Sequence, residues 1–377
     1  MKGNKIDVLR ITTVSLSLEK LLVGQMSYMQ EKNVSIATAS YGQFDFENHY
    51  QITSLRRAIS PVRDFLALLE IYKLIKRLKP AIVHTHTPKA GLLGMWAARL
   101  AGVKCRIHTV AGMPLMAKAG WMKKLLIWME KLTYAAATDV WPNSFGLKKF
   151  IEQNIYAGKK LDVIGRGTSN GINLNYFSKD TVSSEEVEVL RNNLGLEGTV
   201  FIFIGRLVGD KGITELIKAY EAVYRHNQDI SLLLVGSEEP DLDPLPLDIK
   251  SSIETNKSIV SVGFQQDVRP YIAVSDVLIF PSYREGFPNV PLQCGAFAKA
   301  LVLSDINGCN EIVSDESLGI LVEVKDEKAL QSAMLNLLGN KKKRTKLGLN
   351  VQKHIAANFE QSVIWQELVR RYKVVLS

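Results

Sequence analysis

The chain has 377 residues, 46% of them hydrophobic and 23% charged, which is ordinary for a soluble globular protein and too long for one core, so two domains are expected. The net charge of +9 is unevenly placed: residues 1–180 hold 26 Lys and Arg against 12 Asp and Glu, whereas residues 181–377 hold 21 against 26, so the basic half suits an anionic lipid surface, a phosphorylated substrate or nucleic acid. Three scattered cysteines without CxxC spacing (Cys105, Cys294, Cys309) exclude a disulfide framework and a zinc site and fit a reducing, cytoplasmic compartment, and no apolar run approaches the ~18 residues of a membrane span.

The opening "MKGNKIDVLRITTVSLS" carries Asp7 and Arg10 inside its apolar part and reads as a first strand, not a signal peptide. Strands are expected over 7–15, 33–40, 81–87, 105–111, 139–144 and 161–167, with helices over 18–31, 60–79, 89–102 and 121–137. The polar stretch 177–199 reads as a linker containing a short helix. Alternation then restarts, with strands over 200–205, 230–236, 258–264, 277–282, 300–305 and 319–324, and helices over 213–227, 268–275, 290–300 and 327–339 before a helical tail whose basic start, Lys341–Arg344, reads as solvated. Strand–helix alternation of this kind implies mostly parallel sheets covered on both faces, that is, an α/β chain of two Rossmann-like domains. No RNP-type aromatic motif or helix-turn-helix favours nucleic acid, and no GxGxxG follows a strand.

In the first half, "IVHTHTPKAG" puts His84 and His86 on one face of a strand end, either as a metal pair lacking a recognisable third ligand or as two packed histidines. "AKAGWMKKLLIWMEKL" is amphipathic, with a stripe of Met122, Leu125, Leu126, Met129 and Leu132, Trp121 and Trp128 near it, and Lys118, Lys123, Lys124 and Lys131 flanking it. Such a helix suits a membrane interface or a core face with extended lysines, and the charge of this half favours the membrane.

In the second half, "FIFIGRLVGDKGITELI" is a strand, a turn and a helix. Gly205 and Gly212 permit close backbone approach, the helix start offers free N–H groups, and Arg206 with Lys211 supplies two cations suited to a diphosphate. "SYREGFPNVPLQCGAFAKA" repeats the arrangement. Glu285 ends a strand, and Gly286, Phe287, Pro288 and Asn289 form the turn into a helix starting near Val290. Glu285 either caps that helix or accepts hydrogen bonds from sugar hydroxyls while the 286–290 amides face the same ligand, and Gln293 lies about one turn further in. Asp241-Leu242-Asp243 has the DxD spacing of metal-dependent sugar transferases but sits among prolines and acids and reads as an acidic surface loop, so no metal is expected.

Together these motifs resemble the retaining GT-B glycosyltransferases of family 4. The family signature, a Glu followed seven residues later by a second Glu, has Glu285 first and Gln293 in the second place. "GRLVGDKG" is similar to its phosphate-binding element, "SDINGCNEIV" to its Gly-x-x-Glu segment through Asn307, Gly308 and Glu311, and "VGF" to the loop holding the nucleotide base, through Gly263 and Phe264. The likeness extends through "IVHTHTPKAGLLGMWAA" and "TDVWPNS" to nearly the whole chain.

The resemblance implies a GT-B enzyme with an interdomain cleft, an acceptor domain at 1–185, a donor domain at 186–355 and a C-terminal helix at 356–377 packing back on the first domain. It implies transfer of a hexose or N-acetylhexosamine from a nucleotide sugar, UDP above all, to a lipid-linked saccharide at the inner face of a bacterial membrane, in capsule or lipopolysaccharide assembly. Arg206 and Lys211 would hold the diphosphate, Glu285 the transferred sugar, and Gln293 the ribose. His86, Thr87 and Lys89 would form an acceptor-side cluster, with Gly24 and Gln25 beside it. Two departures stand out: Ala111 replaces a His common before Gly112, and the 15–25 loop lacks the usual paired glycines. Two rival readings are a nucleotide-sugar 2-epimerase, which needs no acceptor, and a sugar-nucleotide-binding protein without turnover.

Overall fold

The computed structural model describes residues 6–113, 120–155, 161–239 and 243–377. The chain divides into two compact units, Met1–Gly171 with Gln361–Ser377, and Ile172–Glu360. The boundary lies ahead of the expected 185/186 because Ile172 is already buried in the second core, where its N–H donates to Phe359 O at 2.8 Å. The stretch 177–199 holds the short helix expected in it, Ser184–Asn193, started by a capping box in which Ser183 and Glu186 each bond the other's backbone N–H. Divided at these points, the charge separates further: the first unit holds 28 Lys and Arg against 12 Asp and Glu, the second 19 against 26.

In the first unit the order is β1 (Val8–Val14), α1 (Ser15–Leu21), α2 (Gln25–Glu31), β2 (Ile36–Tyr41), β3 (His49–Gln51), α3 (Pro61–Leu78), β4 (Ile82–His86), α4 (Pro88–Leu100), β5 (Cys105–Val110), α5 (Gly120–Ala136), β6 (Asp139–Pro142) and α6 (Phe145–Asn154). The second unit runs α7 (Ser184–Asn193), β7 (Thr199–Ile204), α8 (Ile213–His226), β8 (Ile230–Val235), α9 (Leu247–Thr255), β9 (Ile259–Ser261), α10 (Arg269–Val274), β10 (Val277–Phe280), α11 (Asn289–Ala296), β11 (Ala300–Ser304), α12 (Cys309–Ile312), β12 (Ile320–Val322), α13 (Glu327–Leu338) and α14 (Lys341–Asn358), after which α15 (Gln361–Leu376) returns to the first unit. Each unit holds a parallel six-stranded sheet, ordered β3-β2-β1-β4-β5-β6 and β12-β11-β10-β7-β8-β9. These are the two expected Rossmann-like domains. The strands are apolar throughout because both faces are covered, as in "ISLLLV" of β8, where all six residues are buried.

Both sheets reverse their winding once, between β1 and β4 and between β7 and β10. Ligands of such sheets bind beyond the carboxyl ends of the strands at these switch points. Arg206 follows β7 and Glu285 follows β10, while Gln25 lies beyond β1 and His86 ends β4. The topology alone therefore brings the predicted site residues to two sheet edges.

Several local expectations are corrected. The single helix at 18–31 is two short helices, because Gly24 at φ +74° breaks it; a Cβ there would lie 2.9 Å from the Trp365 ring of α15. The expected strand at 161–167 is reduced to one bridge between Leu161 and Val140. Helix α6 was not anticipated; its start is Ser144, whose Oγ accepts from Leu147 N at 3.1 Å.

Helix α5 is turned relative to the expected stripe. Its buried side carries Glu130, Thr133, Tyr134 and Ala136, Leu126 and Ile127 lean on the core, and Trp121, Leu125 and Trp128 face outward. Lys118 lies outside the described residues. Burial pushes the Glu130 carboxyl up from 4.5 to about 7. Between those values the unfolded chain releases a proton that the folded chain keeps, so this group costs stability as pH rises through the window. Glu130→Gln is expected to raise the melting temperature of the first unit above pH 7 by about 2–4 °C or more and to change nothing at pH 4, as scanning calorimetry at the two pH values would check.

Candidate active site

In the second unit, three loops meet at the carboxyl edge of the sheet. Gly205 N–H donates to Val235 O at 2.9 Å, Leu207 N–H to Ser237 O at 2.9 Å, and Gly236 N–H to Gly263 O at 2.8 Å. Gly236, at φ +151°, sits so close to the first loop that a Cβ would lie 1.8 Å from Gly205 O, so this edge is bare backbone. Beside it, Phe264 is 75% exposed.

The turn after β7 is held against the turn after β10 by three contacts. Lys211 Nζ lies 2.5 Å from Glu285 Oε1, Arg284 Nη2 lies 2.6 Å from Asp210 Oδ2, and Tyr283 N–H donates to Asp210 O at 2.9 Å. Glu285 Oε1 also accepts from Ser282 Oγ at 2.9 Å, so the carboxylate is anchored from its own strand end and does not cap α11. Tyr283 OH reaches Glu215 Oε2 of α8 at 2.7 Å, which steadies the same junction. Lys211 and Glu285 are thus brought together, both largely buried. Arg206 is directed elsewhere: Nη1 lies 2.5 Å from Glu239 Oε2, near the surface. Each cation has a carboxylate partner, and neither partnership was visible as sequence spacing.

Helix α11 starts at Asn289, with Pro288 before it and Phe287 buried against Phe359 at 5.3 Å between ring centres. Gly286 and Val290 border this start, and Gln293 lies half-buried in the next turn with no partner for its amide among the described residues. Asp243, one acid of the DxD spacing, accepts from Asp210 N–H at 3.1 Å and so braces the Lys211 turn from outside; Asp241 lies outside the described residues.

In the first unit, a cavity of about 20 Å³ is lined by Gln25, His84, His86, Thr109, Asn143 and Ser169, among others. The His84 and His86 rings stack at 4.3 Å. His84 Nδ1 is hydrogen bonded to Tyr372 OH and its Nε2 to Thr109 Oγ1 at 2.7 Å, so both ring nitrogens are occupied. His86 Nε2, Asn143 Oδ1 and Ser169 Oγ are buried without partners. Burial and the charge of Arg10 hold His86 well below the usual histidine range, and burial with His86 and Arg10 beside it does the same for His84, so both rings are neutral at pH 7. Gln25 is fixed by Arg10 Nη1 and by its own donations to Ser169 O at 3.2 Å and Asn170 Oδ1 at 3.0 Å.

The other expected acceptor-side residues have structural partners. Thr87 Oγ1 is 2.7 Å from Thr13 Oγ1, joining β1 to the start of α4. Lys89 Nζ donates to Arg56 O at 2.9 Å, Ala58 O at 2.6 Å and Asp64 Oδ1 at 2.6 Å, which commits it to the loop before α3. Gly24 serves the Trp365 contact. His108 is bonded to Thr85 Oγ1 at 2.8 Å, and burial lowers it to about 4. Asn143, which the sequence did not single out, bonds Ala111 O at 3.0 Å and enters the cavity beside His86. Its position at the end of β6, in "DVWPNS", was the available signal.

Residues 198–340 match the family described as glycosyl transferases group 1, and residues 19–144 the glycosyl transferase 4-like family. The capsular polysaccharide biosynthesis glycosyltransferase CapM of Staphylococcus aureus is 31% identical, over 100% of this chain and 98% of that protein. The UDP-Gal:alpha-D-GlcNAc-diphosphoundecaprenol alpha-1,3-galactosyltransferase of Escherichia coli is 30% identical, over 77% of this chain and 74% of that protein. Among solved structures, HepE of Anabaena in complex with UDP shares the fold with a TM-score of 0.80 at 16% identity, over 98% of this chain and 100% of that one.

Proposed function

The chain belongs to the group 1, GT4-type glycosyltransferases, and from that premise we propose that it moves a hexose or N-acetylhexosamine from a UDP-sugar to a lipid-linked saccharide in bacterial surface polysaccharide synthesis, with retention of configuration. The observation that carries the reading is the Lys211–Glu285 pair at the switch point of the second sheet, next to the bare backbone of Gly205, Gly236 and Gly263. A cation and an acid meeting at a strand edge fit a diphosphate joined to a sugar. The names of the E. coli and Anabaena proteins, with their diphosphoundecaprenol acceptor and bound UDP, support the same substrate classes.

In this reading the diphosphate takes Lys211 and Arg206 from their carboxylates, and Glu285 accepts hydrogen bonds from the sugar hydroxyls. The acceptor hydroxyl attacks the anomeric carbon from the face the diphosphate leaves. The carbon–oxygen bond to phosphate breaks, its electrons stay on the nucleoside diphosphate, and a departing phosphate oxygen takes the acceptor proton. Lys211 and Arg206 stabilise the charge that develops there, the preorganised electrostatic help that usually dominates such catalysis. On the acceptor side, neutral His86 with Asn143 and Ser169 offers unpaired polar atoms to a sugar hydroxyl. The chain works at an anionic membrane surface without crossing it; no helix among the described residues is long and apolar enough to span a bilayer.

The test is transfer of radiolabelled sugar from a panel of UDP-sugars to undecaprenyl diphosphate-linked saccharides in excess EDTA. Product with the anomeric configuration of the donor is expected. Epimerised donor without acceptor product, or UDP-sugar binding without turnover under every acceptor, would overturn the reading. Gln293→Glu is expected to lower donor KM about 5- to 30-fold, since a carboxylate accepts two charge-assisted bonds from a ribose where the amide accepts one neutral bond, a difference of ~1–2 kcal/mol. An unchanged KM would show that Gln293 does not touch the ribose.

A further inference from the structure

The loop leading into α3 exposes apolar side chains to an unusual degree. Ile59 is 82% exposed, Val62 72% and Phe65 62%, with Leu66 also exposed beside them. This tip is not loose. Lys89 grips it through Arg56 O, Ala58 O and Asp64 Oδ1, and Ser60 N–H donates to Asp64 Oδ2 at 3.2 Å. A loop held by a lysine clamp keeps its apolar side chains in water only at a cost, so the display calls for an apolar occupant.

The charges around it select the occupant. Arg57 and Arg63 are exposed on either side of Ile59, and Arg56 lies over the Tyr41 ring at 5.2 Å. The acid within this tip, Asp64, is neutralised by Lys89. On α5, Trp121 is 71% exposed and Trp128 59%, with Leu125, Lys124 and Lys131 exposed on the same side and Glu130 turned inward. Helices α3 and α5 both pack on α4, and in a parallel sheet crossover helices start at the carboxyl edge of the strands. The Ile59–Phe65 tip and Trp121, at the starts of α3 and α5, therefore flank the edge that holds His86, and Leu125 and Trp128 continue the same side of α5 away from it. Tryptophan, phenylalanine and branched aliphatic side chains interleaved with Lys and Arg, on a unit with 28 basic and 12 acidic residues, match the depth profile of an anionic bilayer surface.

We propose that the Ile59–Val62–Phe65 tip and the Trp121–Leu125–Trp128 face of α5 form one docking surface that inserts into the headgroup region of an anionic membrane. The proposal deepens the lipid-linked acceptor reading above: seated this way, the first unit holds its carboxyl edge toward the lipid that carries the acceptor.

The experiment is flotation of the whole chain with phosphatidylcholine vesicles, with and without phosphatidylglycerol, at low salt. Three variants accompany the native sequence: Ile59→Ser with Phe65→Ser, Trp121→Ser with Trp128→Ser, and, as a control, Val189→Ser on the exposed side of α7. The native chain and the control are expected to float with anionic vesicles. Each double variant is expected to lose at least about tenfold in vesicle-bound fraction with an unchanged melting temperature. Equal flotation of native and double-variant chains overturns the surface, as does absence of binding to anionic vesicles. Self-association lost in the same variants, read by sedimentation velocity, assigns the face to a second copy of the chain and also overturns it. A melting shift with UDP, measured alongside, separates the readings: a chain that floats without a UDP shift keeps the docking surface and loses the donor site, and a chain that shifts without floating does the reverse.

Discussion

Replacing Lys211 by alanine is expected to lower the turnover of sugar transfer by roughly 10²–10³-fold, the loss typical when one preorganised donor to a developing oxyanion is removed. The Lys211 ammonium is held 2.5 Å from Glu285 and over the Phe280 ring at 5.8 Å, in a largely buried setting where charge is poorly screened. Such a cation is costly to bury for structure alone, since an apolar pair of similar volume would serve packing as well. Lys211→Ala also leaves Glu285 with Ser282 as its one hydrogen-bonding neighbour among the described residues, so some stability is lost, and activity must be separated from folding. Single-turnover rates with saturating donor, measured beside the melting temperature, do this. A melting temperature that falls while the rate stays within a few-fold of native would make the pair structural and remove Lys211 from the reaction. Arg206→Ala makes a useful contrast. Its guanidinium is nearer the surface and paired with Glu239, so a smaller loss, carried mainly in donor KM, is expected.

What the sequence made legible follows from what local chemistry encodes. Buried parallel strands write themselves as unbroken apolar runs, so β7, β8, β10 and β11 lay within one or two residues of expectation. The Glu285 and Lys211 turns were legible because each joins a strand end to a helix start through glycine. Features set by distant partners were not. Nothing in "SPVRDF" announces that Lys89 will hold its backbone, and nothing near Arg206 marks Glu239 as its neighbour. The turned face of α5 was missed because Leu, Met and Trp are apolar on both of its sides, and the inward Glu130 is the residue that breaks the pattern. Helix α6 was missed because only Leu147 and Ile151 among its residues are buried, too few for a periodic signal.

Deleting Gln361–Ser377 is expected to cost the first unit its fold while sparing the second. Helix α15 buries Ile364, Leu368, Val369 and Tyr372 against Leu18, Leu22, Met26 and Met29 of the first unit. At about 1.5–3 kcal/mol for each buried side chain, the loss is of order 8 kcal/mol, comparable with the whole stability of a domain. Tyr372 adds a polar function. Its hydroxyl accepts from Arg10 Nη2 at 3.0 Å and is hydrogen bonded to His84 Nδ1. Arg10 is fully buried, and its partners among the described residues are neutral: Gln25, Met29 and Tyr372. A buried guanidinium that depends on neutral acceptors is sensitive to the loss of any of them. Tyr372→Phe, which keeps the ring and removes the oxygen, is therefore expected to cost about 2 kcal/mol and to lower the melting temperature of the first unit by several degrees. The shortened chain gives the sharper outcome. Unit 2 keeps its own core from Ile172 to Phe359, so a UDP-induced melting shift should survive the deletion while sugar transfer disappears. A shortened chain that still transfers sugar at the native rate would show that α15 is dispensable and that Arg10 and His84 are held by other means.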